Sequence, residues 1–253
     1  MRILAKSDTG KVREMNQDSY YVSDLEKDEI KLYILADGMG GYKGGEIASS
    51  LAVANARNHI FNNFKNTKKD RESILELIRQ AIEFANKVVH EKAAEDPELH
   101  DMGTTLDVCL IYNNKVFIGH VGDSRVYRIR KNIIRKLTTD HSYVEKLVRE
   151  GTITKEEAYN HPKKNMLMKA LGVDSPVEPD LIVKGFLKDD ILLMCSDGLT
   201  NMLRDNEIYN LLLNNPEKPE EALIQNANDL GGYDNITTII IDNIDIGDET
   251  KER

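Results

Sequence analysis

Five aspartates lie at or beside the ends of apolar runs in this sequence: Asp18, Asp37, Asp123, Asp197 and Asp234. An aspartate next to Gly or Asn is ordinary turn chemistry, and that explanation suffices for any one of them taken alone. If strand ends from two sheets converge, however, several of these carboxylates share one cleft. Two carboxylates about 4 Å apart repel each other by roughly 4 kcal/mol at an effective dielectric constant near 20, so such a cluster requires cations.

The chemistry of these side chains indicates which cations they would bind. Sites built from carboxylate oxygens, without His or Cys ligands, select hard ions such as Mg²⁺ or Mn²⁺. Two such ions can share a water molecule and lower its pKa, which supplies a hydroxide for in-line attack on phosphorus. The five aspartates together therefore favour metal-dependent hydrolysis of a phosphate ester.

A competing interpretation comes from the glycines of YILADGMGGYKGGE, residues 33–46, because a strand, glycines and a helix are the context of a phosphate cradle. The spacing does not fit. A dinucleotide fingerprint would need Gly in place of Lys43, and a P-loop would need Ser or Thr in place of Gly44. The carboxylate of Asp37 would also repel a phosphate bound there.

Other hydrolytic chemistries fail on spacing as well. A cysteine-dependent phosphatase needs Cys-x5-Arg, whereas the sixth residue after Cys109 is Lys115 and the sixth after Cys195 is Asn201. The segment HEKAA at His90 lacks the second histidine of a zinc protease, and the sequence contains no GxSxG. Without a CxxC pair, the two cysteines are expected to be buried strand residues of a protein in a reducing compartment.

Composition limits the function classes further. The chain has 253 residues, of which 40% are hydrophobic and 30% charged, enough apolar material for a sizeable core. Its net charge of -9 disfavours a nucleic-acid or anionic-membrane binder, because phosphate groups would be repelled on average. No apolar run approaches the roughly 18 residues that span a bilayer, and no signal-peptide core is present. We expect a cytoplasmic monomer without membrane insertion.

The elements that must position these residues are strands and helices in alternation. Apolar, β-branched runs bounded by Gly, Asp or Asn predict strands at KLYILAD, LDVCLIY, KVFIGHV, RVYRI, DILLMCSD and NITTIIID. The third and fourth runs are joined by Gly122-Asp123-Ser124, which predicts a β-hairpin and hence antiparallel sheet. Apolar residues at the 3.6 period predict a helix between Asp70 and Asp96, and further helices are expected through residues 46–64 and from Pro219 to Leu230. One α+β domain is the expected result.

Residues 141–171 have a different character. The first part predicts a short helix that ends at Gly151, and the second predicts another that opens with Thr154 and Glu157 as a capping box. We interpret this segment as an excursion on the surface. The charged tail, residues 246–253, is expected to fray.

Six motifs, taken in order, allow a resemblance to be recognised. They are RxxNQDS from Arg13, ADGMGG from Ala36, GTT from Gly103, GDSR from Gly122, SDGL from Ser196 and DNIT from Asp234. This series resembles the type 2C metal-dependent serine/threonine protein phosphatases, the PPM family, in their bacterial form. The resemblance covers the chain from about Ser7 to Asp242. It implies a central β-sandwich of two antiparallel sheets flanked by helices, with a flap at about 141–171 beside the active site, in one catalytic domain of residues 1–245.

The resemblance also implies a dinuclear Mn²⁺ or Mg²⁺ centre at one end of the sandwich. Asp37 would bridge both metals, and the carbonyl of Gly38 would ligate one of them. Asp197 and Asp234 would hold the other metal. Asp18 would act through metal-bound water.

Two further residues receive roles from the resemblance. Arg13 matches the phosphate-binding arginine of the family, and a guanidinium suits phosphate oxygens because it can bind two of them at once. Asp123, together with Asp197, would serve a third and weaker ion. The competing interpretation of Asp123 is that it only shapes a turn.

The sequence departs from the family pattern at three positions. Met39 stands where animal members carry a histidine proposed to protonate the leaving alkoxide; His141 or His161 could replace it, although water is the simpler acid. Met168 and Lys169 stand where bacterial relatives often have Thr and Arg. These last two changes bear on substrate preference rather than on metal chemistry.

The resulting hypothesis is a protein phosphatase that acts on phosphoserine and phosphothreonine. Its partners would be phosphorylated proteins, including a bacterial membrane-anchored Ser/Thr kinase and its targets. One alternative is a catalytically silent, PPM-like module that binds phosphoproteins, although the loss of Asp37, Asp197 or Asp234 that would mark it is not seen. A third option is a phosphatase devoted to one anti-sigma-factor antagonist.

Overall fold

The computed structural model describes residues 1–24, 26, 28–40, 44–173 and 176–243. In chain order the strands are β1 (Arg2–Asp8), β2 (Asp18–Val22), β3 (Lys31–Met39), β4 (Gly103–Thr104), β5 (Leu106–Tyr112), β6 (Lys115–Val121), β7 (Arg125–Arg130), β8 (Ile133–Lys136), β9 (Asp180–Gly185), β10 (Ile191–Cys195) and β11 (Ile236–Asp242). The helices are α1 (Gly44–Phe64), α2 (Arg71–Glu95), α3 (Tyr143–Arg149), α4 (Lys155–Tyr159), α5 (Asp197–Thr200), α6 (Asp205–Asn214) and α7 (Pro219–Asp229).

These strands form two antiparallel sheets. One has the order β1-β11-β10-β7-β8, and the other has the order β2-β3-β5-β6-β9, with β4 beside the end of β3. Alternate residues of β3 face opposite ways, so that Leu32 and Ile34 pack against α1 and α2 while Tyr33 and Leu35 pack against the other sheet. Because both faces are buried, the strand is a continuous apolar run in the sequence.

The sheet β1-β11-β10-β7-β8 is covered by helices in the same manner. Tyr127, Leu193 and Ile240 lie on its outer face and pack with Ile208 of α6 and Leu223 of α7. The layers therefore follow the order helices, sheet, sheet, helices. The predicted α+β sandwich of two antiparallel sheets is confirmed.

Most of the predicted elements are present at the predicted positions. Each of the six apolar runs forms a strand, and the helical pattern between Asp70 and Asp96 forms α2. Asp70 caps that helix, since its side chain accepts a hydrogen bond of 2.8 Å from the Ser73 N–H. Within the described ranges, no helix combines the length and apolar character that crossing a membrane requires.

The predicted hairpin at Gly122-Asp123-Ser124 is wrong. Strand β6 pairs with β5 and β9, whereas β7 pairs with β10 and β8, so the connection crosses from one sheet to the other. The backbone groups of Gly122, which has φ of 114°, bond to His141: its N–H donates to His141 Nδ1 and its carbonyl accepts from the His141 N–H. They are therefore not used for pairing with β7.

The excursion at 141–171 contains the two predicted short helices, α3 and α4. Every residue of both keeps some solvent exposure, and the capping box of Thr154 and Glu157 is present. Isolated bridges between Ser142 and Leu167 and between Thr104 and Leu171 tie its two ends to each other and to β4. We call this segment the flap. The tail at 246–253 and residues 41–43 of the glycine-rich stretch lie outside the described residues.

Candidate metal centre

The pairing of β2 with β3 brings the first two aspartates together. Asp18 and Asp37 are direct partners in the antiparallel register. Beside them the Gly38 N–H donates to the carbonyl of Gln17 over 3.2 Å. A Cβ on Gly38 would collide with the carbonyl oxygens of Gln17 and Gly45, so only glycine allows β2, β3 and the start of α1 to approach this closely.

Two threonines hold the backbone of Asp37. Its N–H donates to Thr105 Oγ1 and its carbonyl accepts from Thr104 Oγ1, both at 2.9 Å. Thr105 Oγ1 also lies 2.9 Å from Ser124 Oγ, next to Asp123. The GTT motif thus connects the strand that carries Asp37 to the connection that carries Asp123.

Asp18 joins the two sheets. Its Oδ2 accepts hydrogen bonds from Ser196 Oγ at 2.8 Å and from Thr237 Oγ1 at 2.6 Å, both on the opposite sheet. Its Oδ1 is buried, and among the described residues it has no hydrogen-bond partner. This oxygen is therefore the free acceptor of the cluster.

Asp197 and Asp234 lie next to strand ends of the sheet β1-β11-β10-β7-β8. Asp197 follows β10 and opens α5, and its Oδ2 accepts from Asn201 Nδ2 at 2.9 Å. Asp234 precedes β11, and its Oδ2 accepts from a guanidinium nitrogen of Arg13 at 2.9 Å. The side chain of Arg13 is 52% exposed, which places it at the rim of the cluster.

The carboxylates of the cluster also influence one another's pKa values. Burial raises the pKa of Asp37 well above its usual range, and the charges of Asp18, Asp197, Asp123 and Asp234 raise it further. Burial likewise raises the pKa of Asp18 to about 7, against the hydrogen bonds from Thr237 and Ser196 that lower it. Burial also raises the pKa of Asp197 to about 6, with the charge of Asp234 adding to the shift. The hydrogen bonds from Ser196 and Thr237 to Asp18 show that strand ends of the two sheets meet at this cluster.

Asp123 belongs to the same group, although it lies in the connection between sheets. Burial is the main cause that raises its pKa, followed by the charges of Asp197 and Asp140, while Arg125 opposes the shift. Its link to the cluster is therefore electrostatic and involves both Asp197 and Asp37.

The cluster fits hard cations, although within the described residues no three His, Cys, Asp or Glu side chains are arranged to hold an ion as they stand. The available donors are carboxylate and carbonyl oxygens, which suit Mg²⁺ or Mn²⁺. A bound cation would relieve the repulsion that raises these pKa values. It would also give the orphaned Oδ1 of Asp18 a partner.

The three residues that bear on the general acid, Met39 at the family's histidine position and the histidines His141 and His161, have the following contacts. The side chain of Met39 lies against Gly103. His141 is bonded to Gly122 and stacks on His120 with ring centroids 4.7 Å apart, and His161 Nδ1 accepts from the Lys163 N–H. None of these contacts involves one of the five aspartates.

Several supporting residues were not assigned roles from the sequence. Asn235, 5% exposed, accepts from the Gln17 N–H and donates from its amide to the carbonyls of Thr9 and Met15. It thereby fixes the segment that carries Arg13. The sequence does point to two such residues, because Ser196 and Asn235 each stand next to a candidate aspartate within a motif.

Comparison with known proteins identifies the family. A sequence profile described as "Protein phosphatase 2C" matches residues 10–227. The "Serine/threonine phosphatase stp" of Listeria welshimeri serovar 6b is 40% identical over 241 residues, which is 94% of this chain and 94% of that protein.

Solved structures agree with the sequence relatives. The Mycobacterium tuberculosis serine/threonine phosphatase PstP/Ppp has a TM-score of 0.85 at 35% identity, covering 96% of this chain and 99% of that chain. The catalytic domain of PstP in complex with 2 manganese ions has a TM-score of 0.82 at 36% identity, covering 96% of this chain and 98% of that chain. The chain therefore belongs to the protein phosphatase 2C family of metal-dependent serine/threonine protein phosphatases.

Proposed function

We propose that this protein hydrolyses phosphoserine and phosphothreonine in proteins with water activated at a dinuclear Mn²⁺ or Mg²⁺ centre. The observation that carries the proposal is the convergence of carboxylates from both sheets, whose pKa values are raised by burial and by one another. The manganese ions of the similar PstP catalytic domain support the same chemistry.

Within this proposal each residue of the cluster has its own role in holding the ions. Asp37 and the Gly38 carbonyl would serve one ion, and Asp37, Asp197 and Asp234 the other. When bound, the two ions supply an activated water and neutralise charge on the phosphate. Asp18, whose Oδ2 is already held by two hydroxyls, would act through its free Oδ1.

Arg13 is proposed to bind and orient the phosphate. Here it pairs with Asp234, and it would exchange that carboxylate for the substrate when the ions engage Asp234. Arg13→Ala should raise KM for a phosphothreonine peptide about ten- to a hundredfold, because a charge-assisted hydrogen bond contributes roughly 1.5 to 3 kcal/mol. Steady-state kinetics on the peptide would measure the change.

Two controls accompany that measurement. Arg13→Lys keeps the charge but loses the two-pronged geometry, so its KM should fall between those of the wild type and Arg13→Ala. Calorimetric titration with Mn²⁺ should show that metal binding survives in both variants. An unchanged kcat/KM in Arg13→Ala would remove Arg13 from the site.

Asp123 is proposed to hold a third and weaker ion together with Asp197. Its raised pKa, its burial and its place between the sheets support this role over that of a simple turn residue. With so few protein ligands, that ion would keep several waters and bind loosely.

We further propose one catalytic domain of residues 1–245 with the flap at 141–171 beside its active site. The expected setting is a cytoplasmic monomer that acts on phosphorylated proteins, including a Ser/Thr kinase and its targets. The exposed, lightly anchored helices of the flap support a role in choosing among such proteins.

The test of the proposed function is release of phosphate from a phosphothreonine peptide. Turnover should require added Mn²⁺ or Mg²⁺ and should stop on addition of a chelator, since no protein nucleophile is proposed. Turnover that resists the chelator, or a trapped phosphoenzyme, would overturn the metal-water mechanism. Metal-dependent binding of the peptide without release would favour the silent binding module instead.

A further inference from the structure

Helix α4 of the flap contacts the core through polar and aromatic side chains. The guanidinium of Arg204 holds both carboxylate oxygens of Glu156, at 2.7 and 2.8 Å, and lies 4.5 Å from the centre of the Tyr159 ring. The Tyr159 hydroxyl donates to the carbonyl of Asn201 over 3.1 Å. Because every residue of α4 keeps some exposure, these contacts rather than apolar burial hold this helix against the core.

Asn201 faces the cluster as well as the flap. Its amide Nδ2 donates to Asp197 Oδ2 at 2.9 Å, and its backbone N–H donates to the Asp197 carbonyl at 2.7 Å. The same residue therefore accepts a hydrogen bond from the flap and orients a carboxylate of the candidate centre.

A cavity of about 830 Å³ separates the flap from the core beside this connection. Its lining includes Glu156 and Tyr159 from the flap, and Asp197, Asn201 and Arg204 from the core. The two sides face each other across open space, and the hydrogen bond from Tyr159 to Asn201 lies at its edge. A displacement of the flap would therefore shift Asn201, which contacts Asp197.

We infer that Asn201 is a positioning residue that couples the seating of the flap to the orientation of the Asp197 carboxylate. The inference rests on the proposed function in treating Asp197 as a metal ligand. Outer partners that orient a metal-binding carboxylate commonly account for 10- to 100-fold in metal affinity. The flap would thus tune the metal centre through one asparagine.

The test is calorimetric titration of the metal-free protein with Mn²⁺. Asn201→Ala should weaken Mn²⁺ binding about ten- to a hundredfold. Tyr159→Phe removes only the hydroxyl and should weaken binding roughly two- to tenfold, the range expected for one neutral hydrogen bond. Tyr143→Phe, which changes a flap tyrosine whose ring contacts His161 of the same segment, is the matched control and should bind Mn²⁺ like the wild type.

The double variant distinguishes coupling from two separate effects. In the Asn201→Ala background, Tyr159→Phe should weaken Mn²⁺ binding no further, because its route runs through the missing amide. Additive losses would overturn the inference. Mn²⁺ binding equal to the wild type in Tyr159→Phe would overturn it as well, and that measurement holds even if Asn201→Ala fails to fold. Since the readout is metal binding, a wild type that binds Mn²⁺ but releases no phosphate would refute the proposed function and leave this inference standing.

Discussion

Asp37→Asn is expected to lower phosphate release from a phosphothreonine peptide by at least roughly a hundredfold. That is the upper end of the loss seen when a residue that only orients a metal ligand is changed, and Asp37 is itself a proposed ligand. The reason is that Asp37 is the carboxylate proposed to serve both ions, and its pKa responds to all four of its acidic neighbours. Initial rates over a full Mn²⁺ titration would measure the loss.

The same substitution should stabilise the metal-free protein. Burial and neighbouring charge raise the pKa of Asp37 in the folded state, so above its unfolded pKa the ionised carboxylate opposes folding. Asparagine removes that charge while keeping the shape. Urea unfolding at neutral pH should therefore show a higher midpoint for metal-free Asp37→Asn than for metal-free wild type, with less added stability from Mn²⁺.

A matched control uses Asp229→Asn, which changes a carboxylate 61% exposed on α7. That variant should keep wild-type rates and wild-type stability. Loss of activity in Asp37→Asn accompanied by a lower unfolding midpoint would indicate damaged folding rather than a lost metal ligand, and would contradict the assignment.

His120→Ala is expected to destabilise the protein by about 3 to 5 kcal/mol, the usual cost of removing one partner of a buried ion pair. The side chains of His120 and Asp107 are 0% exposed and 2.6 Å apart. The other ring nitrogen faces the Thr139 carbonyl at 2.9 Å. Burial lowers the pKa of His120, but the charge and hydrogen bond of Asp107 outweigh it and leave the pKa raised. Urea unfolding would measure the loss.

Two variants make this expectation specific to the pair. His100→Ala changes a histidine whose side chain is 81% exposed, and its stability should stay within about 0.5 kcal/mol of the wild type. Asp107→Asn removes the charge but keeps the size, so it should cost less than His120→Ala. Equal stability of His120→Ala and the wild type would mean that the pair contributes nothing.

The strands and the meeting of their ends could be predicted because the relevant signals are local. A strand buried on both faces is a continuous apolar run, and an aspartate at its end is visible beside it, as at Asp37 and Asp197. Edge strands gave no such signal. Strand β1 is partly exposed along its whole length, and β9 mixes Lys184 with apolar residues, so neither forms a run of that kind.

The partners of the carboxylates could not be predicted because they depend on pairing across the chain. Ser196 and Thr237 reach Asp18 only after two sheets have formed and packed. The wrong hairpin has a similar origin. Strands β6 and β7 are neighbours in sequence with a glycine between them, but β6 pairs with β5 and β9 while β7 pairs with β10 and β8, and the backbone of Gly122 bonds to His141 instead.

The pairing of β1 with β11 has a consequence for how the protein is made. Ser7 and Thr237 are cross-strand partners joined through their hydroxyls at 2.7 Å, yet they are 230 positions apart in sequence. Contacts between such distant segments form slowly, because a long loop must close before they can stabilise anything. During synthesis β1 has to wait, unpaired, until β11 has emerged. The candidate metal centre needs Asp18 from near one end of the chain and Asp234 from near the other, so it cannot form before both segments have emerged.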